Sequence, residues 1–174
     1  MMTTSDAVKK LGIYVHIPFC VRKCKYCGFL SFDRYHSNME GRYFSALFSE
    51  MKRQGTEYRE YEVDTIFIGG GTPTVVPAER IEQVIEGVKQ SFNVCDNAEI
   101  TMESNPGTVT RQSLAQYRKA GVNRLSIGVQ SFRDEILRAL GRMHTAEEAK
   151  NAFRMAREAG FENINLDLMF SIPG

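Results

Sequence analysis

The sequence is short of net charge, of cysteine and of long apolar runs, and each shortage excludes a class of protein. No apolar stretch approaches the ~20 residues that a membrane-spanning helix needs, and residues 1–10 lack the apolar core of a secretory signal. Its 22 basic and 21 acidic side chains leave a formal net charge of +1, so there is no electrostatic reason to bind nucleic acid or an anionic membrane. We therefore expect a cytoplasmic protein with no membrane span and no nucleic-acid partner.

The length of 174 residues suits one domain with a buried core, and 43% apolar and 25% charged residues are ordinary for a globular protein. Residues 1–11 are polar in character, and we predict that they are disordered. Residues 12–174 are then one domain, because the sequence shows no linker, low-complexity tract or change of composition.

Three of the four cysteines, Cys20, Cys24 and Cys27, form a C-x3-C-x2-C run. In a chain without a secretory signal, thiols this close together favour an iron–sulfur cluster or zinc over a disulfide. A four-iron cluster usually takes four cysteines, so three leave one iron open to a substrate. Zinc stays the alternative, but it needs a fourth ligand, and His16 would have to fold back to supply one. Cys95, far away in sequence, is predicted to be a small buried apolar side chain.

Strand-like and helix-like segments alternate along the chain. Period-two apolar patterns predict strands over residues 13–17, 63–68, 98–103, 124–129 and 163–170. The helical patterns between them are predicted to end at Gly55, Gly121 and Gly160, and a Thr145-x-x-Glu148 capping box begins the last helix. This alternation predicts βα units and a parallel sheet.

The predicted strands carry apolar residues on one side and polar residues or glycine on the other. Parallel sheets covered on both faces usually read as continuous apolar runs, so the pattern predicts a curved sheet whose concave face lines a wet ligand cavity. An antiparallel sheet with one solvated face shares the pattern, but the intervening helices argue against it. The apolar set includes Ile66, Ile68, Ile100, Met102, Leu125, Ile127, Val129, Ile164, Leu166 and Leu168. The polar set is Tyr14, His16, Gly69, Thr101, Glu103, Ser126, Gly128, Gln130, Asn165 and Asp167.

The run Tyr-Val-His-Ile-Pro-Phe followed by C-x3-C-x-Tyr-Cys resembles the cluster loop of radical S-adenosylmethionine (SAM) proteins. The similarity covers residues 11–174 and is closest to the group that contains oxygen-independent coproporphyrinogen III dehydrogenase and the HemW heme chaperones. It implies a (β/α)6 barrel, of which this chain holds five strands. We therefore expect a partial radical SAM core, truncated after the fifth strand and without its C-terminal part. The open edge of that strand would leave the isolated chain marginally stable.

The resemblance implies two cofactors, a 4Fe-4S cluster bound by Cys20, Cys24 and Cys27, and SAM. The residues it assigns to SAM are Tyr14, Tyr26, Gly70, Gly71, Thr72, Glu103, Gln130, Arg142 and Asp167. The glycine run would hold the methionine amino group, Glu103 the ribose hydroxyls, Arg142 the carboxylate and Tyr26 the adenine. Plainer interpretations stay open: a tight turn, a cap or salt bridge, a surface arginine, and packing over the cluster. His36 and His144 are predicted to lie on the surface.

Three functions stay open. Strings such as Gly-Arg-Met-His and Asn-Leu-Asp-Leu-Met-Phe resemble the HemW branch, whose members bind heme and deliver it to acceptor proteins. The alternative is oxygen-independent coproporphyrinogen III oxidase of porphyrin and heme biosynthesis, which has a further cysteine where this chain has Phe29. The third is a zinc or iron–sulfur binding module without catalysis.

The resemblance implies reductive cleavage of SAM, in which one electron from the cluster breaks the sulfonium C–S bond. The products are methionine and a 5′-deoxyadenosyl radical, and the cofactor carries the difficult chemistry. The expected ligands are SAM and either heme or a porphyrinogen. The reductant protein and the heme acceptor stay unidentified.

Overall fold

Residues 8–34 and 36–172 are described by the computed structural model, and strands and helices alternate along them. The strands are β1 (Lys10–Ile17), β2 (Glu62–Gly70), β3 (Asn93–Ser104), β4 (Arg124–Gln130) and β5 (Asn163–Leu168). The helices are α1 (Ser37–Glu57), α2 (Ala78–Ser91), α3 (Arg111–Ala120), α4 (Asp134–Leu140) and α5 (Ala146–Glu158). All neighbouring strands pair in parallel, in the order β1-β2-β3-β4-β5. The predicted α/β fold with a parallel sheet is confirmed.

Helices cover one side of this sheet. Contacts between α1 and α2, between α2 and α3, and between α3 and α5 join the helices into one layer. The apolar sides of the strands and helices form a single buried cluster, in which Ile68 and Met102 have no exposed surface. Among the described residues, no helix is both long and apolar enough to cross a membrane.

Leu168 is an exception to the predicted apolar side, because it is 57% exposed. The pairing of β4 with β5 shifts register at Val129, so that Leu168 lies opposite Gln130, a member of the polar set. The prediction that Leu168 packs against the helices is therefore wrong. The extra residue at the shift is Val129 of β4, whereas β5 is unbroken, so Leu168 keeps the side of Leu166 but is not covered there.

The predicted disorder of residues 1–11 is wrong at its end, because Lys10 and Leu11 belong to β1. They pair with Glu62 and Val63 at the start of β2. Residues 1–7 lie outside the described residues. Strand β3 likewise begins five residues before its predicted start, since Asn93 pairs with Glu62 ahead of a register shift.

Gly55 does not end α1, as the sequence pattern predicted; it lies inside the helix and is buried. A Cβ atom at this position would lie 2.1 Å from the carbonyl oxygen of Ser91, the last residue of α2. Glycine at this position therefore allows α1 to pack closely on α2. The helix continues past it to Glu57.

The other predicted helix signals are confirmed. Gly121 (φ +116°) and Gly160 (φ +88°) have the left-handed conformation that follows many helix ends. The side chains of Thr145 and Glu148 form the predicted capping box of α5. Helix α4 was not predicted, because its seven residues are too few to establish a period.

We predict that Gly55→Ala destabilises the fold by about 1–3 kcal/mol, because its methyl group overlaps the Ser91 carbonyl. Gly41→Ala is the matched control in the same helix, where a Cβ meets no atom within 4 Å. That variant should be more stable by about 0.4–1 kcal/mol. Urea unfolding of both variants measures the difference, and equal effects would contradict the close packing of α1 on α2.

Candidate functional site

A cleft opens at the carboxyl ends of the strands, where parallel α/β folds bind their ligands. It lies between the loop that follows β1 and the polar side of the sheet. The predicted site residues in its lining are Cys20, Cys24, Cys27, Tyr26, Gly70, Gly71, Thr72, Glu103, Gln130, Arg142 and Asp167. Of the predicted set, Tyr14 alone does not line it. The structure adds Arg22, Lys23, Phe29, Ser31, Ser104, Asn105 and Gly128.

The three clustered cysteines lie on the loop between β1 and α1, which backbone hydrogen bonds anchor at two places. The Cys20 N–H donates to Phe32 O at 3.0 Å, and the Lys25 N–H donates to Leu140 O at the end of α4 at 3.2 Å. All three thiols are free; that of Cys20 is buried and the other two are half-buried. The loop therefore presents three thiols to one cleft.

The donor set fits a metal cluster better than a single ion. Within residues 8–34 and 36–172, no three Cys, His, Asp or Glu side chains converge as ligands of one ion. His16 is engaged at both ring nitrogens, Nε2 with Leu30 O (2.8 Å) and Nδ1 with the Tyr14 hydroxyl (2.9 Å). Thiols that share a cleft without converging suit a cluster in which each cysteine binds a different iron.

Two single-residue predictions need correction. Cys95 is half-buried, not fully buried, and lies in the amino-terminal half of β3. His144 is 6% exposed rather than on the surface, since its Nε2 contacts Val129 O at 3.1 Å. Burial, together with the charge of Arg142, lowers the pKa of His144. His36 is exposed, as predicted.

The glycine run at the end of β2 has the N–H groups of Gly70 and Gly71 already engaged. The Gly70 N–H donates to Glu103 Oε2 (2.9 Å), and those of Gly71 and Thr72 donate to carbonyls of β1 and the following loop (2.8 Å each). Gly70 has φ +116°, and a Cβ on Gly71 would lie 2.6 Å from Phe19 O. A ligand can therefore use only the carbonyl side of this run, which accepts hydrogen bonds from an ammonium group.

Glu103 lies at the end of β3 and faces the cleft half-buried. Burial is the main reason that its pKa is raised, and the nearby charge of Asp167 adds to the rise. The hydrogen bond from the Gly70 N–H and the proximity of His16 act in the opposite direction. Ionising this half-buried carboxylate therefore costs free energy. A ligand hydroxyl that donates a hydrogen bond to it would lower that cost.

Asp167 and Gln130 occupy the next two strands. The Ser126 hydroxyl lies 3.1 Å from each carboxylate oxygen of Asp167, and Asn165 Nδ2 donates to it at 2.6 Å. Gln130 has φ +67°, an uncommon left-handed conformation for a residue other than glycine. Such strain is typical of ligand sites, where the surrounding structure enforces it.

The two predicted tyrosines have different positions. Tyr26 lines the cleft between two cysteines, and partial burial raises its pKa to about 12. Tyr14 is 58% exposed and stacks on Phe67, with ring centroids 6.1 Å apart. Tyr14 therefore does not reach the cleft; its hydroxyl is hydrogen-bonded to His16, whose ring lies beside Gly70.

Arg142 contacts a cluster cysteine directly, with Nη1 3.5 Å from Cys24 Sγ. Its Nη2 donates to Asn105 Oδ1 at 2.6 Å and to Gly128 O. Asn105 was not predicted as a site residue, although it directly follows β3. No period or motif marked it, because its partners come from distant strands.

Two buried side-chain polar atoms in the described part of the chain have no hydrogen-bond partner: Ser31 Oγ and Arg142 Nε. Both residues line this cleft. Buried polar groups almost always have a hydrogen-bond partner, so two atoms without one in the lining of the same cleft indicate a polar ligand. Together with the three thiols, the cleft has the groups to hold a cluster beside a polar organic molecule.

Comparison with known proteins agrees with this geometry. The sequence matches the family model described as the radical SAM superfamily over residues 14–174. It is 43% identical over 163 residues to the heme chaperone HemW of Escherichia coli K12, covering 94% of this chain and 43% of that protein. It is 41% identical to HemW of Haemophilus influenzae, covering 94% and 44% respectively. The solved structure of E. coli coproporphyrinogen III oxidase HemN, a radical SAM enzyme, matches with TM-score 0.87 at 30% identity, covering 97% of this chain and 39% of that one.

The fold and the site define a partial α/β barrel with a cysteine loop over the carboxyl ends of its strands. The chain belongs to the radical SAM superfamily. Such proteins in general use a 4Fe-4S cluster and SAM, and the thiols and unpaired polar atoms of this cleft fit that pair. The chain spans about two-fifths of the length of the relatives it matches.

We predict that Glu103→Gln makes the fold without cofactors more stable at neutral pH, by a few degrees in Tm at most. The pKa of Glu103 is raised in the folded state, so the unfolded chain ionises first as pH rises. The resulting penalty is absent below the unfolded pKa of ~4.3 and present above the folded pKa. Glutamine keeps an oxygen that can accept from the Gly70 N–H.

Thermal melts of both proteins from pH 4 to pH 8 measure this effect. The two melting temperatures should converge at the acid end and separate towards pH 8. A variant less stable than the parent at pH 8 would show that the ionised carboxylate stabilises the fold.

Proposed function

We propose that Cys20, Cys24 and Cys27 bind a 4Fe-4S cluster with SAM in the cleft beside it, in a HemW-like chaperone that delivers heme to acceptor proteins. The first part rests on the presence in one cleft of three free thiols and two buried polar atoms without partners. The second part rests on the similarity to HemW proteins at 43% and 41% identity. The small-molecule ligands are thus SAM and heme.

The cluster and SAM supply the electron transfer and the scissile C–S bond, and the chain supplies binding and orientation. The carbonyl side of Gly70 and Gly71 accepts from the methionine ammonium. Arg142 directs its unpaired Nε at the carboxylate, and Glu103 accepts from the ribose hydroxyls. Tyr26 packs on the adenine and excludes water.

The charges of the cleft suit such a ligand. Two carboxylates, Glu103 and Asp167, stand at the carboxyl ends of β3 and β5, and Arg142 stands beside Cys24. SAM carries a sulfonium, an ammonium and a carboxylate, so each of its charges has an opposite charge or dipole nearby. Half-buried opposite charges attract more strongly than they would in water.

The radical SAM core domain that we predict over residues 12–174 also includes the beginning of β1 from Lys10. We propose a cytoplasmic location, which the four free cysteines support. Gln130 and Asp167 would contact SAM from β4 and β5. Tyr14 would act through its hydrogen bond to His16 rather than by contact with SAM.

Oxygen-independent coproporphyrinogen III oxidase is the second candidate, favoured by the TM-score of 0.87 to HemN. Phe29 weighs against it, because that enzyme group has a further cysteine at this position. Phe29 lines the cleft and is 65% exposed, so no thiol reaches the cleft from there. A zinc-binding module is the third candidate, and iron analysis separates it from the other two.

Anaerobic reconstitution with iron and sulfide should give a 4Fe-4S EPR signal on reduction, and SAM should change that signal. Cys24→Ser should lose most of the bound iron, because the cluster would keep only two cysteine ligands. Cys95→Ser is the matched control and should retain the iron of the parent protein, since Cys95 lies away from the cleft. Zinc without iron, or a signal indifferent to SAM, would contradict the cofactor proposal.

Heme and coproporphyrinogen III should then be offered separately to the reconstituted full-length protein, because the chain described here spans about two-fifths of its HemW relatives. We expect stoichiometric heme binding in the absorption spectrum and transfer to an apo-hemoprotein, with no formation of protoporphyrinogen. Turnover of coproporphyrinogen III would make the oxidase the better assignment.

A further inference from the structure

A chain of side-chain contacts joins two of the cluster cysteines across the wall of the cleft. Cys20 Sγ lies 3.7 Å from Thr72 Oγ1, which accepts from Asn105 Nδ2 at 2.9 Å. Asn105 Oδ1 accepts from Arg142 Nη2 at 2.6 Å, and Arg142 Nη1 donates to Cys24 Sγ at 3.5 Å. We call Thr72, Asn105 and Arg142 the thiol bridge.

Hydrogen-bond chemistry fixes the direction of the contacts that Arg142 and Asn105 make in the thiol bridge. Arginine can only donate, so Asn105 must turn its oxygen towards Arg142 and its NH2 group towards Thr72. Thr72 Oγ1 accepts from Asn105, and a Cys20 sulfur that binds iron would have no proton, so the contact between Thr72 Oγ1 and Cys20 Sγ would then use the proton of Thr72. Each of the two sulfurs is therefore offered one hydrogen bond, and Asn105 aligns both donors.

The sheet leaves space for the thiol bridge at Gly128. A Cβ on this residue of β4 would lie 2.9 Å from Asn105 Oδ1 and 3.3 Å from Arg142 Nη2. Its carbonyl oxygen also accepts from Arg142 Nη2. On the other side, Asn105 is fixed by the short turn after β3, where its carbonyl accepts from the Thr108 N–H at 3.0 Å.

We propose that Asn105 is a positioning residue that sets the reduction potential of the cluster by aligning Thr72 and Arg142 on two of its cysteines. The inference rests on the cluster part of the proposed function. Hydrogen bonds and positive charge at the cysteine sulfurs stabilise the more negative, reduced cluster and so raise its potential. Groups that orient metal ligands also slow loss of the metal.

Asn105→Ala and the isosteric Asn105→Asp test this role. Alanine removes both contacts of the amide. Aspartate keeps an acceptor for Arg142 but cannot donate to Thr72, whose proton then turns from Cys20 to the new carboxylate. Asn97→Ala is the matched control, an exposed asparagine in β3 outside the cleft.

The potential should be measured by EPR-monitored reduction of the reconstituted proteins without SAM, so that changes in SAM binding have no influence. Both Asn105 variants should lower the equilibrium constant for reduction about tenfold, which for one electron is about 59 mV. Iron loss to a chelator should be about tenfold faster. The control should match the parent protein in both measurements.

If the parent protein holds a cluster and Asn105→Asp matches it in potential and iron retention, the positioning role is wrong while the proposed function stands. Faster iron loss with an unchanged potential would reduce Asn105 to a structural residue and would also contradict the proposal. A parent protein that binds no cluster would overturn the proposed function and, with it, this inference.

Discussion

The polar groups at the carboxyl ends of five parallel strands need partners, and the rest of the structure depends on how they find them. Helices seal the apolar side of the sheet, so the polar side must satisfy its groups within the sheet or with a ligand. Further from the carboxyl ends, the polar groups pair with one another within the sheet. Arg124 donates to Thr101 and lies 3.9 Å from Glu99. At the carboxyl ends the cleft separates the sheet from the loop after β1. Two buried polar atoms of the described residues in its lining, Ser31 Oγ and Arg142 Nε, have no hydrogen-bond partner there. Such a cleft can form without a ligand, but a bound ligand would supply the hydrogen bonds that these atoms lack.

Backbone positions that are strained or that exclude a side chain lie close together at the strand ends. Gln130 has a left-handed conformation, Gly70 has φ +116°, and Gly128 admits no side chain beside Asn105 and Arg142. Each position lies at the end of a strand that contributes to the cleft. The strain at Gln130 persists only where neighbouring contacts enforce it, so the end of β4 is more constrained than an ordinary loop edge.

The fold was predictable because the information that defines it is local. Alternation within strands, glycines after helices and the capping box of Thr145 act over a few residues, and the parallel sheet follows from their order. Gly55 shows where this fails: its sequence context is that of a helix end, but its role depends on Ser91, 36 positions later in the chain. Leu168 fails for a different reason, since it is the last residue of β5 and none of the described helices buries it.

The site was predictable where a single element carries the signal, as in the cysteine loop and the glycine run. Asn105 was missed because its side-chain hydrogen bonds form only when the fold brings distant segments of the chain together. Arg142 illustrates the same limit, since its match to a carboxylate-binding position says nothing of Cys24 or Gly128. In the structure two of its nitrogens serve the chain and the third is unpaired.

This division of its nitrogens would allow Arg142 to serve both the proposed cluster and a ligand. Three thiolates, Glu103 and Asp167 would put five negative charges around the cleft, and Arg142 is the cation among them that contacts a cysteine. A half-buried charge acts through a low dielectric, so its position matters more than its presence. A lysine would restore the charge but not the planar set of donors that reaches Cys24, Asn105 and Gly128 together. The geometry of the guanidinium, rather than its charge alone, is what the cleft is built around.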